Sequence, residues 1–255
     1  MSIESEDLMI RSKRHIMDTY RRYPLVLSRG QGARVWDVDG KEYIDFIAGI
    51  AVCSLGHCHP QVVAAIKNQA DRLMHVSNLF YTAPQIRLAE MLVERSFAKK
   101  VFFCNSGAEA NEGAIKLARR YAHDRYGGAR YEIITLEQSF HGRTLATVTA
   151  TAQAKYHKGF DPLPGGFRYA PFDDLEGLRR SVSEKTCAVL VEPIQGEGGV
   201  RVPAEGYLKG LREICDEHGL LLIFDEVQTG VGRTGTLFAY EQSGIAPDIM
   251  TLAKA

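Results

Sequence analysis

Several features that would assign a protein to a class at once are missing from this 255-residue chain. Its longest clearly apolar stretch, FIAGIAVCSLG, is shorter than the roughly 20 residues that a membrane-spanning helix needs. The first nine residues, MSIESEDLM, are acidic, whereas a secretory signal begins with a basic segment and continues with an apolar one. We therefore expect a cytoplasmic protein with no membrane partner.

Neither sign of charge is in excess, since Lys and Arg number 31 and Asp and Glu also number 31. This balance argues against nucleic acid as the main partner, because nucleic-acid-binding domains usually carry a surplus of basic residues. Five scattered cysteines, an odd number, argue against a disulfide framework. With 45% hydrophobic residues the chain can bury an ample core, and we expect a small-molecule ligand.

The segment LLLIFDEVQTGVGRTG invites comparison with two nucleotide-binding patterns and fits neither. Gly230, Gly232 and Gly235 have the G-x-G-x-x-G spacing, but Asp225 to Gln228 intervene after the strand and no long helix follows. A magnesium-dependent nucleotide hydrolase would also need a G-x-x-x-x-G-K-[ST] loop, which is lacking. What remains is Asp225 at a strand end, which either caps the next turn or holds a charge for a cationic ligand group.

Cys53, His57, Cys58 and His59 place four potential metal ligands within CSLGHCHP. Structural zinc sites usually gather their ligands from two separated pairs, and neither a second pair nor an H-x-E arrangement occurs elsewhere. We therefore predict no metal site and interpret the segment as a glycine-containing turn that opens a helix at Pro60.

The alternation of apolar strands with amphipathic helices predicts the fold class. A helix comes first, and an antiparallel hairpin follows it. The two strands of the hairpin, RVWDV and KEYIDF, are joined at Asp39-Gly40, a dipeptide typical of a type I′ turn. Helices from Pro60 and from about Gln85 to Phe97 follow. The alternating part has strands at VFFC, YEIITL, CAVLVEP, LLLIFDE and DIMTL, with helices at about 108–126, 175–182 and 207–218. This pattern predicts an α/β protein with a mainly parallel sheet covered by helices and ligands at the carboxyl ends of its strands.

The loop in CNSGAEANEGAIKLARR runs from a predicted strand directly into a helix. Ser106 and Glu109 have the S-x-x-E spacing of a capping box. Ser106, Gly107 and Ala108 can equally direct backbone N–H groups at a phosphate, with Gly107 allowing close approach. The residues alone leave both interpretations open.

Lys254 follows the apolar segment DIMTL. Burying a lysine costs free energy, so a lysine at this place indicates a functional role. Together with the helix start, Asp225 and the loop SFHGRT, it matches the needs of pyridoxal phosphate. That cofactor requires an anion site, a carboxylate for the pyridine nitrogen, a flat side chain against the ring and a lysine that forms a Schiff base. We therefore expect pyridoxal 5′-phosphate as the cofactor.

The segments NSGAEANEGAIKLAR, SFHGRT, VEPIQGEGGV, DEVQTGVGRTG and PDIMTLAKA resemble the successive motifs of the class III, or ω-amino acid, aminotransferases. The resemblance extends from GARVWDVDGKEYIDF to the end of the chain. It implies a fold-type I PLP-dependent transferase that works as a homodimer. It also implies that residues 1–60 belong to the small domain and residues 61–255 to the major, cofactor-binding domain. Family members continue well beyond the corresponding lysine, so we expect this chain to lack the C-terminal domain.

The resemblance implies a cofactor site of eight residues: Ser106, Gly107, Ala108, Phe140, Asp225, Val227, Gln228 and Lys254. By resemblance, Gly107 and Ala108 bind the phosphate with Ser106 beside them. Phe140 and Val227 lie against the two faces of the ring, and Gln228 reaches the ring oxygen.

The resemblance also implies catalytic roles for Asp225 and Lys254 and substrate-binding roles for Arg143 and Glu197. Asp225 pairs with the ring nitrogen, Lys254 is the Schiff-base lysine, Arg143 clamps the substrate's distal carboxylate and Glu197 acts as a gate. HVSNLFYT and KVFFCNSGAEAN are most similar to family members that transfer the ω-amino group of N2-acetylornithine to 2-oxoglutarate. Ornithine, 4-aminobutyrate, succinylornithine and succinyldiaminopimelate stay open as donors, as does a truncated, non-catalytic cofactor-binding module.

Overall fold

The computed structural model describes residues 2–254, which divide into two compact units, the first ending at Phe80 and the second beginning at Tyr81. The first unit contains helices and a three-stranded antiparallel sheet in the order β1-β2-β3. Its elements are α1 (Ile3–His15), β1 (Leu27–Gln31), β2 (Arg34–Asp37), β3 (Glu42–Ile44), α2 (Ala48–Ala51) and α3 (Pro60–Ala70).

The predicted hairpin is present as β2 and β3, with Val35 opposite Tyr43. Its turn differs from the predicted two-residue type I′ turn. Gly40 has a φ of 82°, but Asp39 does not have the positive φ that this turn type requires. The loop is instead closed by Asp37, whose Oδ1 accepts the N–H of Lys41 at 2.8 Å.

The second unit is built on a five-stranded parallel sheet in the order β5-β4-β6-β7-β8, which confirms the predicted fold class. Its elements are α4 (Ala83–Glu94), α5 (Gly107–Tyr126), β4 (Glu132–Leu136), α6 (Leu145–Ala150), α7 (Ala154–His157), β5 (Phe167–Ala170), α8 (Leu175–Ser181), β6 (Thr186–Val191), α9 (Tyr207–His218), β7 (Leu221–Asp225), α10 (Tyr240–Ser243) and β8 (Ile249–Thr251).

Helices cover both faces of this sheet because successive side chains of each strand point to opposite sides. On β7, Leu222 and Phe224 pack with α8 and α9, whereas Ile223 packs with α5. All three side chains are fully buried, and each such burial contributes about 1.5–3 kcal/mol. The near-continuous apolar strands of the sequence are therefore those of a sheet with two covered faces.

The prediction of a strand at VFFC is wrong. Residues 101–104 have no regular secondary structure, and Phe102 is 78% exposed. A strand needs a partner for its backbone N–H and C=O groups, and these residues pair with none of the strands within residues 2–254. In the same described range, no helix has both the length and the apolar character needed to cross a membrane.

The parallel arrangement brings the carboxyl ends of the strands to one edge of the sheet. The loops that leave this edge carry most of the candidate residues: Phe140 and Arg143 after β4, Glu197 after β6, Val227 and Gln228 after β7, and Lys254 after β8.

Candidate functional site

The start of α5 leaves backbone donors available for an anion. Ser106 is the N-cap, and its Oγ accepts the N–H of Glu109 at 3.1 Å. The predicted capping box is only half formed, because the Glu109 carboxylate accepts from the backbone and side-chain amides of Asn105, at 2.7 and 2.8 Å. Within residues 2–254, the N–H groups of Ser106, Gly107 and Ala108 donate no hydrogen bond. These N–H groups and the positive end of a 20-residue helix can hold a phosphate-like group.

Gly107 lies where three segments meet. A Cβ at this position would be 2.8 Å from Cγ1 of Val227 and 3.3 Å from Cβ of Ala253. Only glycine therefore lets the loop after β7 and the segment after β8 approach the helix start this closely. Lys254, the next residue after Ala253, is half-buried and has a φ of 53°.

Asp225 is buried at the end of β7 and is held by three groups. Its Oδ2 accepts Nδ2 of Asn111 and lies 2.7 Å from Nδ1 of His141, and its Oδ1 accepts the N–H of Val227 at 3.0 Å. These contacts compensate the cost of burying the carboxylate, of which 4% is exposed. The other ring nitrogen of His141, Nε2, is buried without a hydrogen-bond partner in the described part of the chain.

A second buried carboxylate, Glu192, follows β6 directly and holds the loop after β4. Its Oε2 accepts the N–H of Phe140 at 2.9 Å, and its Oε1 lies 3.4 Å from the N–H of Gly196. Burial raises the pKa of Glu192 to about 7, with a further increase from the charge of Asp225 and an opposing decrease from His141. The backbone position of Phe140 is thus set by a carboxyl group that titrates near neutral pH.

Tyr156 connects two of the predicted site residues. Its ring lies 5.6 Å from that of Phe140 in an edge-to-face arrangement, and the guanidinium of Arg143 lies 5.6 Å from its centroid. Arg143 itself is exposed, whereas Phe140 and Tyr156 are half-buried. Gly142 holds this loop against the start of α5, since a Cβ there would be 2.9 Å from that of Ala108.

Gln228 and Glu197 lie on neighbouring loops. The Gln228 amide rests against the backbone of Gly196, where a Cβ would clash with it. Gln228 is half-buried and Glu197 is exposed. The structure therefore gathers Gly107, Val227 and the segment that leads to Lys254 closely, and it leaves Arg143 and Glu197 on the exposed side.

Glu226, next to Asp225, fixes the loop that follows β7. Its buried carboxylate accepts the hydroxyl of Thr229 and the N–H groups of Ala239 and Tyr240, at 3.0, 2.7 and 2.9 Å. Burial raises the pKa of Glu226. The loop then enters only the four-residue α10, which agrees with the rejection of a dinucleotide-binding motif here.

The sequence interpretation missed four residues that the structure brings to the site: Asn111, His141, Tyr156 and Glu192. Two of them had a recognisable signal. Asn111 is the polar member of the otherwise apolar buried face of α5, and Glu192 follows a buried strand in the same way as Asp225. His141 and Tyr156 act through contacts that the sequence pattern does not encode.

Comparison with known proteins matches residues 16–255 to the family model described as Aminotransferase class-III. The acetylornithine aminotransferases of Caldanaerobacter subterraneus and Myxococcus xanthus are 61% and 60% identical to this chain. These matches cover 95% and 98% of the chain and 62% and 63% of the relatives. A relative from Pseudomonas aeruginosa, named succinylornithine transaminase/acetylornithine aminotransferase, is 54% identical over 95% of this chain and 60% of its own length.

Solved structures show the same similarity. N-acetylornithine aminotransferase from Stenotrophomonas maltophilia aligns with a TM-score of 0.81 and 47% identity, over 96% of this chain and 61% of that one. Ornithine aminotransferase from Toxoplasma gondii, described with partial occupancy of PLP at its active site, aligns with a TM-score of 0.94 and 38% identity, over 98% and 59%. The chain thus spans less than two thirds of the length of these proteins. It belongs to the class-III aminotransferase family.

Proposed function

We propose that residues 1–255 form the cofactor-binding part of a pyridoxal-phosphate-dependent aminotransferase. Its reaction would transfer the ω-amino group of N2-acetylornithine to 2-oxoglutarate, giving N-acetylglutamate 5-semialdehyde and glutamate. The proposal rests on the start of α5, where Ser106, Gly107 and Ala108 have N–H groups that donate no hydrogen bond within residues 2–254. Gly107 there approaches Val227, two residues after Asp225, and Ala253, the residue before Lys254. The choice of donor is supported by relatives at 60–61% identity that bear the acetylornithine aminotransferase name.

The residues of the site fit pyridoxal phosphate. The N–H groups at the start of α5 suit its phosphate, and the buried carboxylate of Asp225 suits its ring nitrogen. Phe140 and Val227 offer side chains for the two faces of a flat ring, and Gln228 offers an amide for the ring oxygen. When bound, the cofactor supplies an aldehyde that takes up the amino group and a ring that accepts electrons.

The chain's own residues hold the ring and move the proton. Asp225 would hold the ring nitrogen, and its contacts with Asn111, His141 and Val227 fix the direction of its carboxylate. The amine of Lys254 would act as the general base that removes a proton from the amino-bearing carbon of the substrate and as the acid that gives this proton back. This role is supported by the position of Lys254 after β8, the strand next to β7 and Asp225, and by the approach of its neighbour Ala253 to Gly107.

Substrate selection would fall to the exposed side of the site. Arg143 provides a planar guanidinium for a bidentate contact with the distal carboxylate of either substrate. The ring of Tyr156, 5.6 Å from this guanidinium, would help to position it. Glu197, on the loop after β6, would act as the gate that neutralises a cation when the ω-amine is bound.

The wider assembly belongs to the same proposal. We propose a homodimer located in the cytoplasm, with residues 1–60 as part of the small domain and residues 61–255 as part of the major domain. The exposed apolar side chains of the second unit, among them Tyr81 at 96% and Phe102 at 78%, agree with a surface that is covered in a larger assembly.

A panel of amino donors tests the function. The complete reading frame that contains these residues is expressed, and glutamate formation from 2-oxoglutarate is measured with N2-acetylornithine, ornithine, succinylornithine, succinyldiaminopimelate and 4-aminobutyrate. We expect the highest kcat/KM for N2-acetylornithine. Succinylornithine as the best donor would support the second candidate, which the dual name of the Pseudomonas aeruginosa relative favours. Cofactor binding without transfer from any donor would support a non-catalytic module.

A further inference from the structure

Asn111 lies on α5 one helical turn after Gly107, where the helix faces the sheet. The two residues are four positions apart and therefore share a helix face. Asn111 is 1% exposed, and the other buried residues of this face are apolar: Ala114, Ile115, Ala118 and Ala122. A side-chain amide here is costly to bury unless its polar atoms have partners.

The Asn111 amide uses both of its donors and its acceptor. Nδ2 donates to Oδ2 of Asp225 at 2.7 Å and to the backbone carbonyl of His141 at 2.8 Å. Oδ1 accepts the hydroxyl of Thr251 at 2.8 Å. Thr251 closes β8, three residues before Lys254. One side chain thus connects the phosphate-binding helix, the carboxylate, the loop of Phe140 and the strand that leads to the lysine.

We propose that Asn111 is a positioning residue for the reaction, which aligns the Asp225 carboxylate with the ring nitrogen of the bound cofactor. The inference rests on the proposed function and goes beyond it. A neutral amide suits this place because it donates to the carboxylate without adding a charge. Aspartate at the same position would set a second carboxylate against Asp225, and alanine would leave Asp225, His141 and Thr251 with one partner fewer each.

The test compares Asn111→Ala, Asn111→Asp and Thr251→Val with the wild type in the full-length protein. Thr251→Val keeps the shape of the side chain and removes only the donor to the amide. The control is Ile214→Val, on α9 at the opposite face of the sheet, which trims the core without touching the site. The measurements are the dissociation constant of pyridoxal phosphate, the pH at which its bound absorbance changes, and kcat and KM. Two titratable groups face Asp225 from neighbouring loops: His141, which contacts it, and Glu192, whose pKa is raised by burial and by the charge of Asp225.

We expect Asn111→Ala to weaken cofactor binding about tenfold, to move the pH of the absorbance change and to lower kcat while KM stays within about twofold. Asn111→Asp should have larger effects, Thr251→Val smaller ones in the same direction, and Ile214→Val none on the absorbance. If Asn111→Ala does not fold, Thr251→Val decides. Unchanged affinity and absorbance in either folded variant, with stability alone reduced, would overturn the inference. A wild type that binds no pyridoxal phosphate would overturn the proposed function instead.

Discussion

Replacing Glu192 with glutamine should make the stability of the protein less sensitive to pH. Glu192 is 6% exposed, and its burial raises its pKa from 4.5 to about 7. Between these values the folded protein binds more protons than the unfolded chain, so the free energy of unfolding falls as pH rises. The stabilising contribution is fully present below pH 4.5 and is lost as pH passes through 7. A difference of about 2.5 pKa units, at 1.36 kcal/mol per unit, corresponds to about 3 kcal/mol.

Urea unfolding of the cofactor-free protein at a series of pH values between 5 and 8 measures this effect. Glutamine keeps one oxygen for the N–H of Phe140 but cannot lose a proton, so the variant should gain stability relative to the wild type as pH rises. Glu217→Gln is the control, because the hydrogen bond from Arg179 lowers the pKa of Glu217 below its usual 4.5, and this variant should therefore leave the slope between pH 5 and 8 unchanged. Wild-type and Glu192→Gln curves that stay parallel across this range would refute the reasoning.

Three further substitutions test the roles proposed for the site. Asp225→Ala should retain part of the cofactor affinity but reduce kcat by about 10- to 100-fold, because a charge-assisted hydrogen bond is lost; near wild-type kcat would contradict the assignment. Arg143→Lys should raise the KM values for both the amino donor and 2-oxoglutarate by about tenfold, since lysine cannot make the bidentate contact; two unchanged KM values would exclude this role. Gly107→Ala should raise the dissociation constant of pyridoxal phosphate about tenfold, because the new methyl group lies 2.8 Å from Val227; unchanged cofactor titrations would show that this approach is not needed.

Hydrophobic periodicity predicted the second unit well because its strands are covered on both faces. α9 runs from Tyr207 to His218, the predicted bounds, since its apolar residues recur at helical spacing and Gly219 ends it with a φ of 64°. The prediction of a strand at VFFC was wrong because an apolar, β-prone segment forms a strand only when a neighbouring strand pairs with its backbone N–H and C=O groups. The short β5 was not predicted, because a four-residue strand at the edge of a sheet is too short to show a recognisable hydrophobic pattern.

Most of the predicted site residues were carried over from the family resemblance, and only the start of α5, Asp225 and Lys254 were indicated by the residues alone. Their supporting groups were harder to find, because each depends on a contact between segments far apart in the chain. The Asn111–Asp225 hydrogen bond spans 114 positions, and the bond from Phe140 to Glu192 spans 52. Contacts between such distant residues cannot be predicted from the spacing of residues in a single sequence. Two local signals pointed to them: a polar residue on an apolar helix face, at Asn111, and a carboxylate directly after a buried strand, at Glu192.

Chemical identification of the cofactor-bearing lysine tests the central claim most directly. The full-length protein is loaded with pyridoxal phosphate, reduced with borohydride and digested for peptide mapping. We predict that the pyridoxyl group lies on the peptide that contains Lys254 and that Lys254→Ala still binds the cofactor but yields no labelled peptide. A pyridoxyl group on another lysine, such as exposed Lys116 of α5, or labelled peptide from Lys254→Ala, would contradict the account.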